Sequence, residues 1–225
     1  MVKKYLSIIV PMYNEQKMVL PCFNQIYDSM KDLTIEIIFV NDGSTDETQK
    51  ITSYLEKTFP KTVVALSYYQ NRGKGYAVQY GLMHSKYKQK LIVDADLSIK
   101  PDNIFKFDSY LATKSKHFVL KGNRKQVKKQ PLYRIFFGKC WKLLVFTKTG
   151  LWIDSQAPFT VLHLPDEFYH DLFIEGFAFD VELLFKAKKL KYPIFEIDVE
   201  YNNNLDTRVT PKKTWEMFKD LMKIN

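Results

Sequence analysis

An α/β fold with a mostly parallel central sheet flanked by helices is predicted by three observations. Short apolar runs rich in β-branched residues, at 6–10, 35–40, 63–66 and 91–93, read as buried strands. Stretches with apolar residues at helical spacing alternate with them, and four rounds of strand then helix argue for a doubly wound sheet. The strand runs empty into turn-forming or acidic residues, and in open α/β sheets that is where ligands bind. No solenoid-type repeat interrupts the pattern.

The first run, Leu6-Ser7-Ile8-Ile9-Val10, is expected to halt at Pro11. Met18, Cys22, Phe23, Ile26 and Met30 mark a helix starting near Met18, because Pro21 is tolerated only in a first turn. The second strand ends in Asn41-Asp42-Gly43-Ser44-Thr45-Asp46, turn chemistry followed by a helix N-cap. Ile51, Tyr54, Leu55 and Phe59 are the expected buried face of that helix. After the third strand, Gln70-Asn71-Arg72-Gly73-Lys74-Gly75 reads as a loop before a short helix through Ala77, Val78, Gly81 and Leu82. Beyond the fourth strand, Pro101 opens an expected helix through Ile104, Phe105 and Tyr110. Residues 118–120 are a further strand ending in Gly122-Asn123-Arg124.

From 131 to 147, apolar residues such as Phe136, Trp141, Leu143, Leu144 and Phe146 interleave with Arg134, Lys139 and Lys142. This is an amphipathic helix, either packed on the sheet or lying at an interface. A strand at 160–164, a helix carrying Val181, Leu184 and Ala187, and a half-exposed strand at 194–201 follow. A last helix carries Trp215, Phe218 and Leu221.

With 225 residues, 46% hydrophobic, one sizeable core is expected rather than two domains. No window nears the roughly 18 uninterrupted apolar residues of a membrane helix, and no signal-peptide pattern opens the chain. Cys22 and Cys140 form neither a metal-spaced pair nor a disulfide framework, which suits a reducing cytosol. The net charge of +9 is concentrated in one segment. Between Asp108 and Asp154 lie eleven Lys or Arg and no acidic residue, while the rest has 23 basic against 25 acidic side chains. Such a segment implies an anionic partner: nucleic acid, a membrane surface or a phosphorylated substrate.

Asp94-Ala95-Asp96 lies at the end of the fourth strand. In an extended chain residues i and i+2 share a side, so both carboxylates can reach one small volume. Two carboxylates that close repel unless something positive joins them. Mg²⁺ or Mn²⁺, sharing its other positions with phosphates and water, is the natural occupant. The plainer alternative has one aspartate capping the next turn and the other solvated.

In chain order the strand ends supply Pro11-Met12-Tyr13-Asn14-Glu15, Asp42-Gly43-Ser44-Thr45-Asp46, Lys74-Gly75, Asp94-Ala95-Asp96 and Asp154-Ser155-Gln156. This order and spacing resemble the inverting family-2 glycosyltransferases of GT-A fold. Within them the likeness is to enzymes that move a sugar from a nucleotide diphosphate onto a polyprenyl or dolichyl phosphate, such as the dolichyl-phosphate glucosyltransferases and mannose synthases. It covers most of residues 6–209; each motif is short, and five in register carry it.

The resemblance implies one GT-A domain over 1–225. Residues 1–120 would be its nucleotide-sugar half and 121–225 its acceptor half, with a basic amphipathic segment at 121–148. Pro11, Tyr13 and Glu15 would hold the base and ribose, and Asp42 would accept hydrogen bonds from the base. Lys74 and Arg208 would contact phosphate. Asp94 would sit near ribose and metal, with Asp96 the principal ligand of Mg²⁺ or Mn²⁺. Arg124 and Gln156 would bind the acceptor. Asp154 would be the general base for a hydroxyl acceptor; an ionised phosphate acceptor would need it only for positioning.

The implied donor is UDP-glucose, with GDP-mannose second. The implied acceptor is a polyprenyl or dolichyl phosphate, with a soluble or cell-surface glycan as the alternative. Peripheral association with an anionic membrane, at its cytoplasmic face, is expected. A nucleic-acid partner is not expected, because it leaves the strand-end motifs unexplained.

Three stretches refine the likeness. The family's Asp-Thr-Gln-x-Gly-Phe-Lys appears as Asp154-Ser155-Gln156-Ala157-Pro158-Phe159-Thr160, with Pro158 in place of Gly and Thr160 in place of a cation. The usual Gly-Ser-Arg appears as Gly122-Asn123-Arg124. The stretch from Glu175 through Asp180 and Glu182 to Leu183 matches the glucosyltransferase-like branch. Its two carboxylates equally suit a helix N-terminus.

Overall fold

The computed structural model describes residues 5–100, 103, 105, 116–127, 132–201 and 211–224. Its strands are β1 (Tyr5–Met12), β2 (Thr34–Asp42), β3 (Val63–Tyr68), β4 (Gln89–Val93), β5 (Phe118–Val127), β6 (Phe159–His163) and β7 (Ile194–Tyr201). Its helices are α1 (Val19–Ser29), α2 (Thr48–Thr58), α3 (Lys74–Met83), α4 (Leu132–Thr149), α5 (Glu167–His170), α6 (Phe179–Lys189) and α7 (Pro211–Lys223).

The strands form one sheet in the order β3-β2-β1-β4-β6-β5-β7. The run β3-β2-β1-β4 is parallel throughout, β5 pairs parallel with β7, and β6 is antiparallel to both its neighbours. The chain turns back at β1, sending β2 and β3 to one side and β4 to the other. That reversal puts the C-terminal ends of β1, β2 and β4 along one rim, the usual place for a ligand crevice.

Continuous apolar runs arise because helices cover both faces. Along β1, Leu6, Ile8 and Val10 pack with Val19, Cys22 and Ile26 of α1, while Ile9 faces Ala77, Val78 and Leu82 of α3. In β2, Ile37 and Phe39 lie on the first side, Ile38 and Val40 on the second. At the β7 edge, Glu196, Asp198 and Glu200 stay exposed, a row of charge that discourages pairing with another chain.

Several expectations need correction. β1 does not halt at Pro11 but runs on to Met12, with Pro11 opposite Val40. Pairing with β4 stops at Ile9, so one side of β1 is already open there, and a residue without an N–H is tolerated. Tyr54, expected on a buried face, is exposed at 64%, and on α7 Trp215 is exposed at 58%. Met217 and Leu221 are buried on α7 instead, and Trp215 stacks on Phe218 at 5.5 Å. The single turn α5, which buries Phe168 and Tyr169, had no periodic signal. The helix expected from Pro101 falls almost wholly outside the described residues.

Candidate active site

The first wall of the rim is two turns sewn together. Asn14 takes a left-handed backbone, φ 54°, which Asn tolerates. Its N–H donates to Ser44 Oγ at 2.9 Å, and its Oδ1 accepts from the Thr45 N–H at 2.9 Å. Glu15 N–H donates to Thr48 Oγ1 at 2.8 Å and Gln16 N–H to Asp46 Oδ2 at 3.1 Å. Tyr13 is thereby held exposed, with Pro11 and Glu15 half-buried beside it.

Asp42 closes β2 with its carboxylate turned onto the 71–73 loop. Oδ1 accepts from the Arg72 N–H at 2.7 Å, and Oδ2 from the Gly73 N–H at 3.0 Å and Asn71 Nδ2 at 2.9 Å. Burial pushes its carboxyl up, against the bonds from Arg72 and Gly73, and raises the Tyr68 phenol as well. The structure thus gives Asp42 a task not foreseen, fixing the loop that starts α3. A contact to the base must share these oxygens.

The loop fits only because it is glycine-rich. Gly73 adopts φ 107°, and a Cβ at Gly75 would run into the Ile174 and Gly176 carbonyls. Glu182 anchors that opposing segment, accepting from the Phe173 and Ile174 N–H groups at 2.9 and 2.8 Å. Arg72 pairs with Glu175 and lies 3.4 Å over the Tyr76 ring.

Asp94 and Asp96 sit beyond β4 in a turn, not on an extended strand. The Leu97 N–H donates to the Asp94 carbonyl at 3.1 Å, and Leu97 is left-handed at φ 46°. The extended backbone on which the i, i+2 expectation rested is therefore absent, and both aspartates act on the Lys74 ammonium. Asp94 Oδ1 lies 2.6 Å from Lys74 Nζ, and Asp96 Oδ1 accepts from the Ser98 N–H at 3.0 Å. Burial alone would lower the Lys74 ammonium, but Asp94, Asp180 and Asp96 hold it above its ordinary value. Beneath them Cys22 is driven up by burial and by Asp96, Glu15 and Asp94, so it stays a thiol.

This donor set suits a hard cation. Two half-exposed carboxylates stand at a strand-end rim beside a positive charge, and both are oxygen ligands of the kind Mg²⁺ and Mn²⁺ prefer. Among the described residues no third His, Cys, Asp or Glu completes a cluster. A cation held there would have positions left for oxygen ligands from outside this pair.

On the acceptor side, Asp154 and Arg124 form a two-pronged pair, with Nε to Oδ2 at 2.6 Å and Nη2 to Oδ1 at 2.7 Å. Burial would raise the Asp154 carboxyl, but Arg124 and Lys121 outweigh it and hold it below the usual range. The Arg124 guanidinium also lies 5.4 Å from the Tyr201 ring centroid. Gln156 points to α7, its Nε2 3.9 Å from Met217 Sδ. Pro158 lies at the centre of a three-residue turn closed by Phe159 N–H to Ala157 O at 2.8 Å. An inverse γ-turn needs a central φ near −75°, which proline holds unaided. Arg208 lies outside the described residues.

Two site features had no local signal. Lys121, counted within the basic segment, is wholly buried and donates to Asp180 Oδ1 at 2.7 Å. Asp180 is therefore more than a helix-terminus charge. The missing cation at Thr160 was the only sequence hint.

The model of "Glycosyl transferase family 2" matches residues 7–153. The chain belongs to glycosyltransferase family 2. A dolichyl-phosphate beta-glucosyltransferase of Mus musculus is 31% identical to this family-2 glycosyltransferase, over 97% of this chain and 74% of its own. The Dictyostelium discoideum protein of the same name is 33% identical, over 98% and 73%. Among solved structures, a Mycobacterium tuberculosis glucosyl-3-phosphoglycerate synthase, in complex with Mn²⁺, UDP-glucose and phosphoglyceric acid, superposes with TM-score 0.67. It is 16% identical and covers 98% of this chain and 79% of its own. A Pyrobaculum calidifontis mannosyltransferase with GDP-mannose and Mn²⁺ gives TM-score 0.68 at 17% identity, over 98% and 64%. At such identities these neighbours speak to fold, and with the sheet order they establish the GT-A fold.

Proposed function

We propose that this glycosyltransferase moves glucose from UDP-glucose onto a polyprenyl or dolichyl phosphate, with inversion. The observation that carries this reading is the Asp154–Arg124 pair. A carboxylate gripped at both oxygens and held below its usual range is a poor proton acceptor, so an acceptor hydroxyl would find no effective base there. A phosphate acceptor needs none, and Arg124 supplies a planar cation suited to it. The names of the Mus and Dictyostelium relatives point to the same sugar and acceptor.

In this reading the base and ribose lie on the rim of Pro11, Tyr13, Glu15 and Asp42. Lys74 faces the diphosphate, and Arg208 is assigned to the same group. Asp94 and Asp96 would hold Mg²⁺ or Mn²⁺, which when bound neutralises charge on the diphosphate. Arg124 and Gln156 orient the acceptor, and Asp154 fixes Arg124. An acceptor phosphate oxygen attacks the anomeric carbon opposite the diphosphate. The carbon–oxygen bond to the diphosphate breaks, and UDP leaves with both electrons. Lys74 meets the growing negative charge.

The test is transfer of labelled glucose from UDP-glucose to dolichyl phosphate, with GDP-mannose and a soluble glycan as competitors. We expect UDP-glucose to be used at least tenfold better than GDP-mannose. Preference for GDP-mannose overturns the donor assignment, and transfer only to the glycan overturns the acceptor.

The acceptor's lipid needs a docking face, and α4 offers one. Phe136, Leu143, Leu144 and Phe146 are all exposed, with Trp152 beside them and Lys142 Nζ 5.0 Å from its ring. Phe136, Cys140, Leu143, Leu144 and Thr147 follow helical spacing, while Val145 and Thr149 point inward. The helix thus shows its apolar side to solvent, as an interfacial helix does. Among the described residues no helix is long and apolar enough to cross a membrane.

One boundary moves. Lys121 is buried and Arg124 is assigned to the acceptor phosphate, so the contact with the membrane surface starts after them. Anionic vesicles at low salt should bind the protein better than neutral ones, since each nearby cation contributes about 1 kcal/mol, screened by salt. Phe136→Ser with Leu143→Ser should cut sedimentation at least tenfold. Equal binding to both vesicle types refutes the docking face.

A further inference from the structure

Thr160 stands where the resembling enzymes carry a lysine, and the structure shows what replaces it. Strands β5 and β6 are antiparallel neighbours, and their register sets Lys121 directly opposite Thr160. Directly opposed residues share a face of the sheet, with Cβ atoms about 5 Å apart. Lys121 Nζ donates to Thr160 Oγ1 at 2.9 Å and to Asp180 Oδ1 at 2.7 Å, with no exposure of the lysine. A lysine at either position can therefore deliver its ammonium to Asp180. A buried carboxylate deprived of its partner is strongly unfavourable, so losing a lysine at 160 requires one to arrive from elsewhere.

The pair also lies between the two halves of the site. Asp180 follows Phe179 at the start of α6, the Phe179 ring lies 6.0 Å from Lys74 Nζ, and Lys74 pairs with Asp94 on the donor side. Lys121 shares β5 with Arg124, which Asp154 grips on the acceptor side. Asp94, Lys74, Asp180, Lys121, Asp154 and Arg124 thus alternate in sign across the site. The buried contact in this series is Lys121 to Asp180 at 2.7 Å, and a buried carboxylate is held in place only while its cation stays with it.

We propose that Lys121 is a positioning residue for glycosyl transfer, its ammonium supplied from the place on the neighbouring strand directly opposed to Thr160. It sets Asp180 between the donor-side lysine and the acceptor-side arginine pair. The transfer step itself is the one proposed above, and this inference rests on it.

A double-mutant cycle tests it, using Lys121→Thr, Thr160→Lys and the transposed pair K121T/T160K. We expect Lys121→Thr to lower kcat at least tenfold and to lower the melting temperature. The transposed protein should recover both, with kcat within threefold of wild type. If Lys121→Thr melts lower but keeps wild-type kcat and KM, the residue is structural only and the proposal fails. If Lys121→Thr does not fold, the transposed protein decides: folding with transfer supports the proposal, and failure of either overturns it. Wild-type transfer from UDP-glucose to dolichyl phosphate is run alongside and tests the activity reading alone. Should the wild type use another donor or acceptor, the same comparisons are read on that substrate pair.

Discussion

Asp154→Asn is expected to lower transfer about 100-fold, a typical cost of misplacing a reacting group, with donor affinity within about threefold of wild type. Asparagine presents one acceptor oxygen where the carboxylate presents two, so it cannot match both prongs of Arg124. Arg124, half its clamp gone, is free to swing toward Tyr201 and away from the acceptor. The donor side is untouched, because its contacts are built on β1, β2, β4 and α3. Measuring donor binding and single-turnover transfer separately decides the matter, and unchanged transfer refutes the role.

The pH profile gives an independent check. Arg124 and Lys121 hold the Asp154 carboxyl low against the opposing effect of burial. A depressed carboxyl keeps its contribution down to acid pH and loses it only as pH falls through that lowered value. Removing the guanidinium in Arg124→Met removes the stronger of those two cations. The Asp154 pKa must then rise, which a carboxyl titration of Arg124→Met followed by NMR reads directly, and an unmoved titration refutes the pairing.

Much of the scaffold was legible because it is local. Runs such as Ile37 to Val40 are apolar at every position only when both faces are covered, and each helix that covers them shows its own period. The misreadings share one physical cause, that pairing decides what sequence leaves open. Pro11 is compatible with a strand only because β4 stops pairing with β1 at Ile9. Asp94 and Asp96 lie in a turn because Leu97 accepts a left-handed backbone, which no branching or charge pattern announces. The partners Lys121 and Thr160 are 39 residues apart. Only the register of two strands reveals that one supplies what the other lacks. Asp42 was recognised as a site residue, but its grip on the 71–73 loop depends on a fold-level contact.

Asp96→Asn is the sharpest test of the donor side. Asparagine keeps a carbonyl Oδ1 for the Ser98 N–H, so the turn that seats it survives while the charge is lost. Asp94→Asn would be a poorer test, because it also breaks the 2.6 Å pair with Lys74. Held by Asp94 and Asp96, a hard cation would complete its six or so positions with donor phosphate and water. Binding of metal and nucleotide should therefore be mutually dependent: each should be weak alone and strong together. Titrating UDP-glucose into wild type should show affinity rising at least tenfold with Mn²⁺, a coupling that must appear equally when Mn²⁺ is titrated with and without UDP-glucose. In Asp96→Asn that coupling should vanish, leaving metal-free affinity nearly unchanged because Lys74 and the base-binding rim remain. An Asp96→Asn protein whose donor affinity still rises with Mn²⁺ as in wild type would show that the cation is held elsewhere.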